Sequence, residues 1–249
     1  MSMSELFSVV EIETCSVCNL RCNYCPNSIS ERGSLKNRQQ MDESLFFRII
    51  DELSDMGFSG EIHPHFYNEP LLDERLGRFV KYIRNKLPDT QVVIFTNGIN
   101  LTIEKYQELV MAGVGRFNIT RHTPTDPPNV SAVLDYRNNS GSQGVDVVYN
   151  RSLINHGQII FNRGGLIPIS KVVDPMVHCD WPSNFLTVNN EGDVLLCCND
   201  YFGSFRVGNL KRNSILSVWN QPHNISLRKY ICGDTSKIEV CRKCKMGVY

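Results

Sequence analysis

Three cysteines at C-x3-C-x2-C spacing, Cys18, Cys22 and Cys25, follow directly on the apolar-rich run Leu6–Ile12. That run reads as a first strand, so the fold must present three thiols on one short loop at a strand end. Three thiolates so placed hold three corners of an iron–sulfur cube and leave the fourth iron without a protein ligand. Clusters that only carry electrons are closed by four cysteines, whereas an open metal position is where outside chemistry binds. A zinc site, or three incidental buried thiols, is the plainer alternative. Ten cysteines in 249 residues, grouped at short spacings, point to metal or redox chemistry in a reducing cytoplasm rather than to a disulfide scaffold.

Apolar residues make up 41% of the chain and charged residues 21%, a globular composition. Lysine plus arginine (26) balance aspartate plus glutamate (26), so no basic surplus recruits nucleic acid. The start MSMSELF lacks a charged region followed by a long apolar run, and no secretory signal is expected. No uninterrupted apolar run approaches the length of a membrane span.

From Phe7 to about Gly165, short β-branched runs alternate with helical patterns. Strands are predicted over 7–14, 61–67, 91–96, 116–120, 145–149 and 158–162, and helices over 42–56, 71–87, 102–112 and 130–138. Asp42 is placed to cap a helix whose apolar face is Leu45, Phe46, Ile49, Ile50 and Leu53. Gly57 and Gly113 stand where a left-handed residue closes a helix. Such alternation means parallel strands with right-handed crossovers. The expected α/β fold is a partial, truncated β/α barrel of five or six parallel strands, with an open doubly wound sheet as the alternative. The segment 150–157 is too short for a full crossover helix. Beyond Gly164-Gly165 the pattern changes to a hairpin (185–188, turn 189–193, 194–198), short helices near 214–219 and 225–230, and Cys241-Arg-Lys-Cys244. The expected division is therefore a barrel over 1–165 and a small second domain over 166–249.

In β/α barrels the working face lies at the C-terminal ends of the strands. The cysteine loop, Tyr67-Asn68-Glu69-Pro70, Phe95-Thr96-Asn97-Gly98, Arg121-His122 and Asn162-Arg163-Gly164-Gly165 all fall there. A second group, Cys179, Cys197, Cys241 and Cys244, offers four thiolates from three places, enough to close a cluster or a structural zinc site. Neighbouring Cys197 and Cys198 point to opposite faces of the hairpin, and spacing favours Cys197 as the ligand. Cys15, Cys198 and Cys232 are left as small buried hydrophobes.

Cys18-Asn-Leu-Arg-Cys22-Asn-Tyr-Cys25 resembles the signature of the radical S-adenosylmethionine (SAM) superfamily. The resemblance implies a SAM-binding [4Fe-4S] cluster on Cys18, Cys22 and Cys25. Its open iron takes the amino and carboxylate groups of SAM, and reductive cleavage yields a 5′-deoxyadenosyl radical that abstracts a substrate hydrogen. Asn68-Glu69-Pro70 sits where the family carries a Gly-Gly-Glu or Gly-Glu-Pro segment, with Asn68 in place of glycine. Glu69 and its neighbours then accept hydrogen bonds from the methionine ammonium. Thr96 and Asn97 are candidates for the ribose, Arg121 for the methionine carboxylate and Tyr24 for the adenine. The bland readings are a turn, an arginine on a helix or loop surface, and a loop aromatic. Cys15, three residues before Cys18, is a bystander on this match.

The C-terminal cysteines resemble the auxiliary-cluster region of the twitch and SPASM subgroups. Only five residues follow Cys244, so one auxiliary [4Fe-4S] cluster is expected, held by Cys179, Cys197, Cys241 and Cys244. The similarity covers nearly the whole chain, including Cys25-Pro26-Asn27-Ser28, His65-Phe66-Tyr67 and Asn162-Arg163-Gly164-Gly165. It implies a two-electron oxidation of a secondary alcohol on an aminocyclitol or sugar, in the setting of antibiotic or other natural-product biosynthesis. The auxiliary cluster is then the electron acceptor and a flavodoxin or ferredoxin the reductant. Arg163 is the best substrate contact; arginine stays protonated and orients substrate or stabilises an alkoxide, unless 162–165 is only a hinge. Asn199 and Asp200 are weaker candidates. Competing readings are an epimerase with Cys198 or Cys232 returning hydrogen, modification of a ribosomal peptide, and a non-catalytic metal-stabilised electron-transfer or binding protein.

Overall fold

The structure, a computed structural model, describes residues 6–140, 145–151 and 157–249. Part of the start read for a signal (1–5) and part of the connection 150–157 (152–156) lie outside the described residues. In chain order, strand β1 (Val9–Ile12) is followed by helix α1 (Glu43–Asp55), β2 (Glu61–His63), α2 (Leu76–Lys86), β3 (Gln91–Thr96), α3 (Ile103–Ala112), β4 (Arg116–Thr120), α4 (Pro128–Ser140) and β5 (Asp146–Asn150). Then come β6 (Ile159–Phe161), β7 (Lys171–Asp174), α5 (Trp181–Asn184), β8 (Phe185–Val188), β9 (Asp193–Leu195), β10 (Arg206–Asn209), α6 (Ile215–Trp219), α7 (Pro222–Gly233), α8 (Glu239–Lys243) and β11 (Met246–Val248).

The main sheet has eight strands in the order β10-β9-β8-β1-β2-β3-β4-β5. From β8 to β5 every neighbouring pair is parallel, and β9 and β10 extend the edge antiparallel. This is the expected partial barrel of parallel strands, with one strand exchanged. The sixth parallel strand is β8, paired with β1 from Val9↔Phe185 to Ile12↔Val188. The run at 158–162 instead forms β6, antiparallel to β11 in a separate three-stranded sheet, β6-β11-β7. The main sheet thus crosses residue 165: β8 and β9 belong to the C-terminal half and lie beside β1.

Period-two alternation sorts the two faces of the parallel strands. Val10, Ile12, Ile62, Val92, Ile94, Phe117, Ile119, Leu186 and Val188 are buried in one hydrophobic core with the helices. Glu11, His63, Phe95, Asn118, Thr120 and Phe185 line the cavity on the opposite face. Helix α1 packs the face anticipated for it, and Phe46 stacks on Phe79 of α2 at 4.0 Å between ring centroids. Asp42 caps α1 by accepting from Ser44 N–H at 2.8 Å and Leu45 N–H at 3.2 Å, a contribution of about 1 kcal/mol. Gly57 and Gly113 do leave their helices with positive φ. Helix α2 starts later than predicted because Arg75 is held in place by Asp73 and by the carbonyls of Thr14 and Met41, which fixes 70–75 outside the helix. Among the described residues no helix is long and apolar enough to cross a membrane.

Gly98, at the end of β3, has φ +76°, and a Cβ there would lie 2.3 Å from Val130 Cγ2. Gly98→Ala is expected to destabilise the protein by about 1–3 kcal/mol, since both the left-handed backbone and the close approach to α4 exclude a side chain. Urea unfolding of the two proteins measures this; equal midpoints would contradict it.

Candidate active site

The loop after β1 is tied to its surroundings by main-chain bonds. Cys18 N–H donates to Gly33 at 3.0 Å, and Glu69 N–H donates to Val17 at 2.8 Å. Cys18, Cys22 and Cys25 open on one end of a cavity of about 560 Å³, together with Tyr24, Glu69, Thr96 and Asn97. All ten cysteines are free. Burial pushes the three loop thiols up, Cys18 to about 12, so a strongly polarising metal centre is needed to draw them off as thiolates. N–H groups are already aimed at the sulfurs: Leu20 N–H donates to Cys18 Sγ at 3.4 Å, and the backbone at Asn27 bonds the Cys25 sulfur. Among the described residues no three His, Cys, Asp or Glu side chains converge tightly enough for a single metal ion. Three soft thiol donors on one loop, with N–H groups aimed at the sulfurs, are donors of the kind that hold an iron–sulfur cluster.

Glu69 is 2% exposed. Its carboxylate accepts from Thr96 Oγ1–H at 2.6 Å, Asn97 N–H at 2.8 Å and Leu71 N–H at 3.2 Å. Burial pushes its pKa up to about 7, against the pull of those hydrogen bonds. Asn68 needs no glycine-like backbone: among the described residues only Arg163 and Met176 are non-glycine residues with positive φ. Its Oδ1 accepts from Phe66 N–H at 2.9 Å, and it lines the same cavity. Asn97 Nδ2 donates to Asn19 Oδ1 at 2.8 Å, binding the β3 loop to the cysteine loop. Tyr24 OH lies 2.7 Å from His122 Nδ1.

Cys179, Cys197, Cys241 and Cys244 line a second, smaller cavity with Phe161, Trp181 and Val240. Burial raises all four thiols; Cys197, Cys241 and Cys244 are raised further by other members of the group, and Cys179 by Asp180 and Cys232. The strand expected over 194–198 ends at Leu195, so Cys197 and Cys198 lie in the turn beyond it, yet they part: Cys197 faces this group, and Cys198 faces the larger cavity. Between the two cysteine groups stands Arg163, with φ +52°. Burial opposes its charge, but Tyr67 and the sulfurs of Cys198, Cys25 and Cys244 outweigh that and hold its pKa above the usual value. Arg163 Nη1 reaches Asn199 Oδ1 at 3.5 Å, and Asn199 Nδ2 donates to Cys244 Sγ at 3.7 Å.

Some anticipated residues lie elsewhere. Arg121 is turned to Asp126 at 3.2 Å and does not line the cavity, whereas its neighbour His122 does. Asp200 caps a turn by accepting from Ser204 N–H and Phe205 N–H. Cys15 is buried behind Asn68 and Cys232 is exposed. The residues that sequence reasoning passed over are Glu11, His63, His65, Trp181 and Phe185, which line the large cavity. A carboxylate alternating with Val10 and Ile12 in β1 was the available signal for Glu11.

Residues 12–148 match the model of the Radical SAM superfamily, and residues 179–245 match an iron-sulfur cluster-binding domain, SPASM. The chain is 34% identical over 245 residues to the S-adenosyl-L-methionine-dependent 2-deoxy-scyllo-inosamine dehydrogenase of Niallia circulans, covering 97% of this chain and 94% of that protein. The structure resembles that of BtrN in complex with AdoMet and 2-DOIA with a TM-score of 0.83, at 32% identity and covering 96% of this chain and 93% of that one. With BtrN in an open conformation the TM-score is 0.73, at 29% identity and covering 97% and 94%.

Because Glu69 has a folded pKa above its ordinary value, its contribution to stability is full below about pH 4.5 and is lost as pH rises towards about 7. Glu69→Gln is expected to flatten the fall in stability across that interval. Chemical unfolding of both proteins at a series of pH values measures the slope; an unchanged slope would contradict the buried, weakly acidic state.

Proposed function

The chain belongs to the radical SAM superfamily, and from that membership we propose that it oxidises a secondary alcohol of an aminocyclitol or amino-sugar to a ketone. When bound, SAM and two [4Fe-4S] clusters supply the one-electron chemistry. Cys18, Cys22 and Cys25 would hold the SAM-binding cluster, and Cys179, Cys197, Cys241 and Cys244 the auxiliary one. The observation that carries this reading is that Arg163 lines the cavity of the three-cysteine loop and also feels Cys244 of the four-cysteine group, which lines the second, smaller cavity. The similarity to a dehydrogenase along nearly the whole chain supports the direction of the reaction.

The protein's own groups then have separate tasks. Glu69, fixed by Thr96, Asn97 and Leu71, presents a carboxylate edge to the methionine ammonium of SAM. Tyr24 and Asn97 bound the adenine and ribose, and Asn68 shapes the turn between them. Arg163 keeps its proton and so does not act as a base; its guanidinium holds the substrate oxygen and steadies negative charge there. The enclosing walls exclude water from the reacting carbon. Residues 1–165 and 166–249 act as the radical-generating and electron-accepting parts, joined by the pairing of β1 with β8. The number of free cysteines supports a cytoplasmic enzyme, with a flavodoxin or ferredoxin as its reductant.

Cys198 favours a second reading. Its thiol lines the cavity next to Glu11 and Arg163, where it is positioned to return a hydrogen atom and make the outcome an epimerisation. Turnover in deuterium oxide separates the two, since only the second puts deuterium on the substrate carbon in a manner lost in Cys198→Ala.

Anaerobic assay with dithionite and 2-deoxy-scyllo-inosamine or related amino-sugars tests the main proposal. One ketone is expected per 5′-deoxyadenosine. Cys22→Ala should abolish SAM cleavage, and Cys241→Ala should keep cleavage while losing the ketone. Arg163→Lys should lower ketone formation about 100-fold or more, the scale of one lost oxyanion contact. SAM cleavage that never yields a ketone would overturn the dehydrogenase assignment.

A further inference from the structure

In the large cavity two opposite charges, Glu11 and Arg163, face one space without joining. Glu11 points there because Val10 and Ile12, its neighbours in β1, are both committed to the core. Its carboxylate is 8% exposed, and Oε2 accepts from Thr187 Oγ1–H at 2.8 Å across the β1–β8 pair. Arg163 lines the same space and lowers the Glu11 pKa electrostatically. Among the described residues neither enters an ion pair within 4.0 Å. Arg163 Nε and the Tyr67 hydroxyl, both deep in the cavity wall, lack a hydrogen-bond partner. Keeping a buried carboxylate and a buried guanidinium apart is unfavourable unless a ligand completes both.

We propose that Glu11 is the ammonium-binding residue of this cavity, and that Glu11 and Arg163 together select an amino alcohol, the ammonium on Glu11 and the hydroxyl oxygen on Arg163. This rests on the reading that an alcohol is oxidised in the cavity, and it narrows the substrate to a cation. Phe185, two residues before Thr187 on the same face of β8, and Trp181 add aromatic surface that favours a cation over a neutral group. The charged and titratable groups around the carboxylate are His63, its register partner on β2, Arg163 from the turn at 162–165, and Cys198 after β9. Burial lowers the His63 pKa, so that ring stays neutral and does not compete for Glu11. Burial also pushes the empty Glu11 carboxyl up to about 7. An arriving ammonium therefore expels a proton from that fraction of molecules in which Glu11 is protonated.

The test is isothermal titration of the anaerobically reconstituted enzyme with SAM present and reductant omitted, so that binding is read without turnover. The probes are 2-deoxy-scyllo-inosamine against its neutral counterpart with hydroxyl in place of the amine, and glucosamine against glucose. In at least one pair the amine is expected to bind about 30-fold or more tightly at pH 8, the scale set by one buried charge pair. Its binding heat near pH 7 should depend on the buffer, in the sense of proton release. Glu11→Gln should remove both the preference and the proton release. Equal affinity for amine and neutral ligand in both pairs, no binding of either amine, or a preference that survives in Glu11→Gln would overturn the assignment. Because the wild-type comparison needs no variant, it stands even if Glu11→Gln does not fold. Ketone formation from a neutral alcohol would leave the oxidation intact while removing the cation requirement. Absence of any ketone would remove the oxidation while leaving the binding preference to stand on its own.

Discussion

The pairing of β8 with β1 is the contact on which the site depends. Strand β1 delivers Cys18, Cys22 and Cys25 into the loop beyond its C-terminal end. Strand β8, running parallel beside it, leads through the turn at 189–192 into β9 and on to Cys197 and Cys198. Four register pairs from Val9↔Phe185 to Ile12↔Val188 thus bring two cysteine groups, more than 150 residues apart in sequence even at their nearest ligands, Cys25 and Cys179, to the same part of the molecule. A slip of one residue would send Val10 and Ile12 into the cavity and Glu11 into the core. The buried bond from Thr187 to Glu11 adds a polar check on the same register.

The turn at 162–165 completes the arrangement at a conformational cost. Arg163 occupies the left-handed region, and a non-glycine residue there is destabilising by roughly 1–2 kcal/mol. What holds it is Asn162, which accepts from Lys245 N–H at 2.8 Å and donates to Lys243 carbonyl at 2.9 Å. Gly164 and Gly165 follow with positive φ, and a Cβ on Gly164 would lie 2.9 Å from the Asn199 carbonyl. The turn is therefore fixed against the segment that carries Cys241 and Cys244. Strain of this kind clusters at functional sites, which supports the substrate-contact role proposed for Arg163.

Much of this was legible in the sequence. Short β-branched runs and capped amphipathic helices give their own periods, and β3 and β4 occupy the predicted residues. The cysteine spacings carry the metal chemistry because ligand loops are local. What the sequence hid depends on pairing between distant segments. The run at 158–162 has the composition of a barrel strand, yet its hydrogen-bond partner is β11. Phe185–Val188 reads as half of a hairpin, and nothing local says that its other edge pairs with β1. Arg121 and His122 are adjacent on a loop, and only the position of Asp126 decides which of them faces the cavity. Glu11 looked like one polar residue in an apolar strand. Its meaning comes from Arg163, which lines the same cavity from the distant turn at 162–165.

Everything above requires that both cysteine groups carry iron–sulfur clusters at once. The most direct measurement is iron and acid-labile sulfide per chain after anaerobic reconstitution, in the wild type and with Cys18, Cys22 and Cys25 all changed to alanine. Two cubes predict about eight irons and eight sulfides in the wild type and about four of each in the variant. Zinc in place of iron at either group, or a wild-type count of about four, would contradict the account.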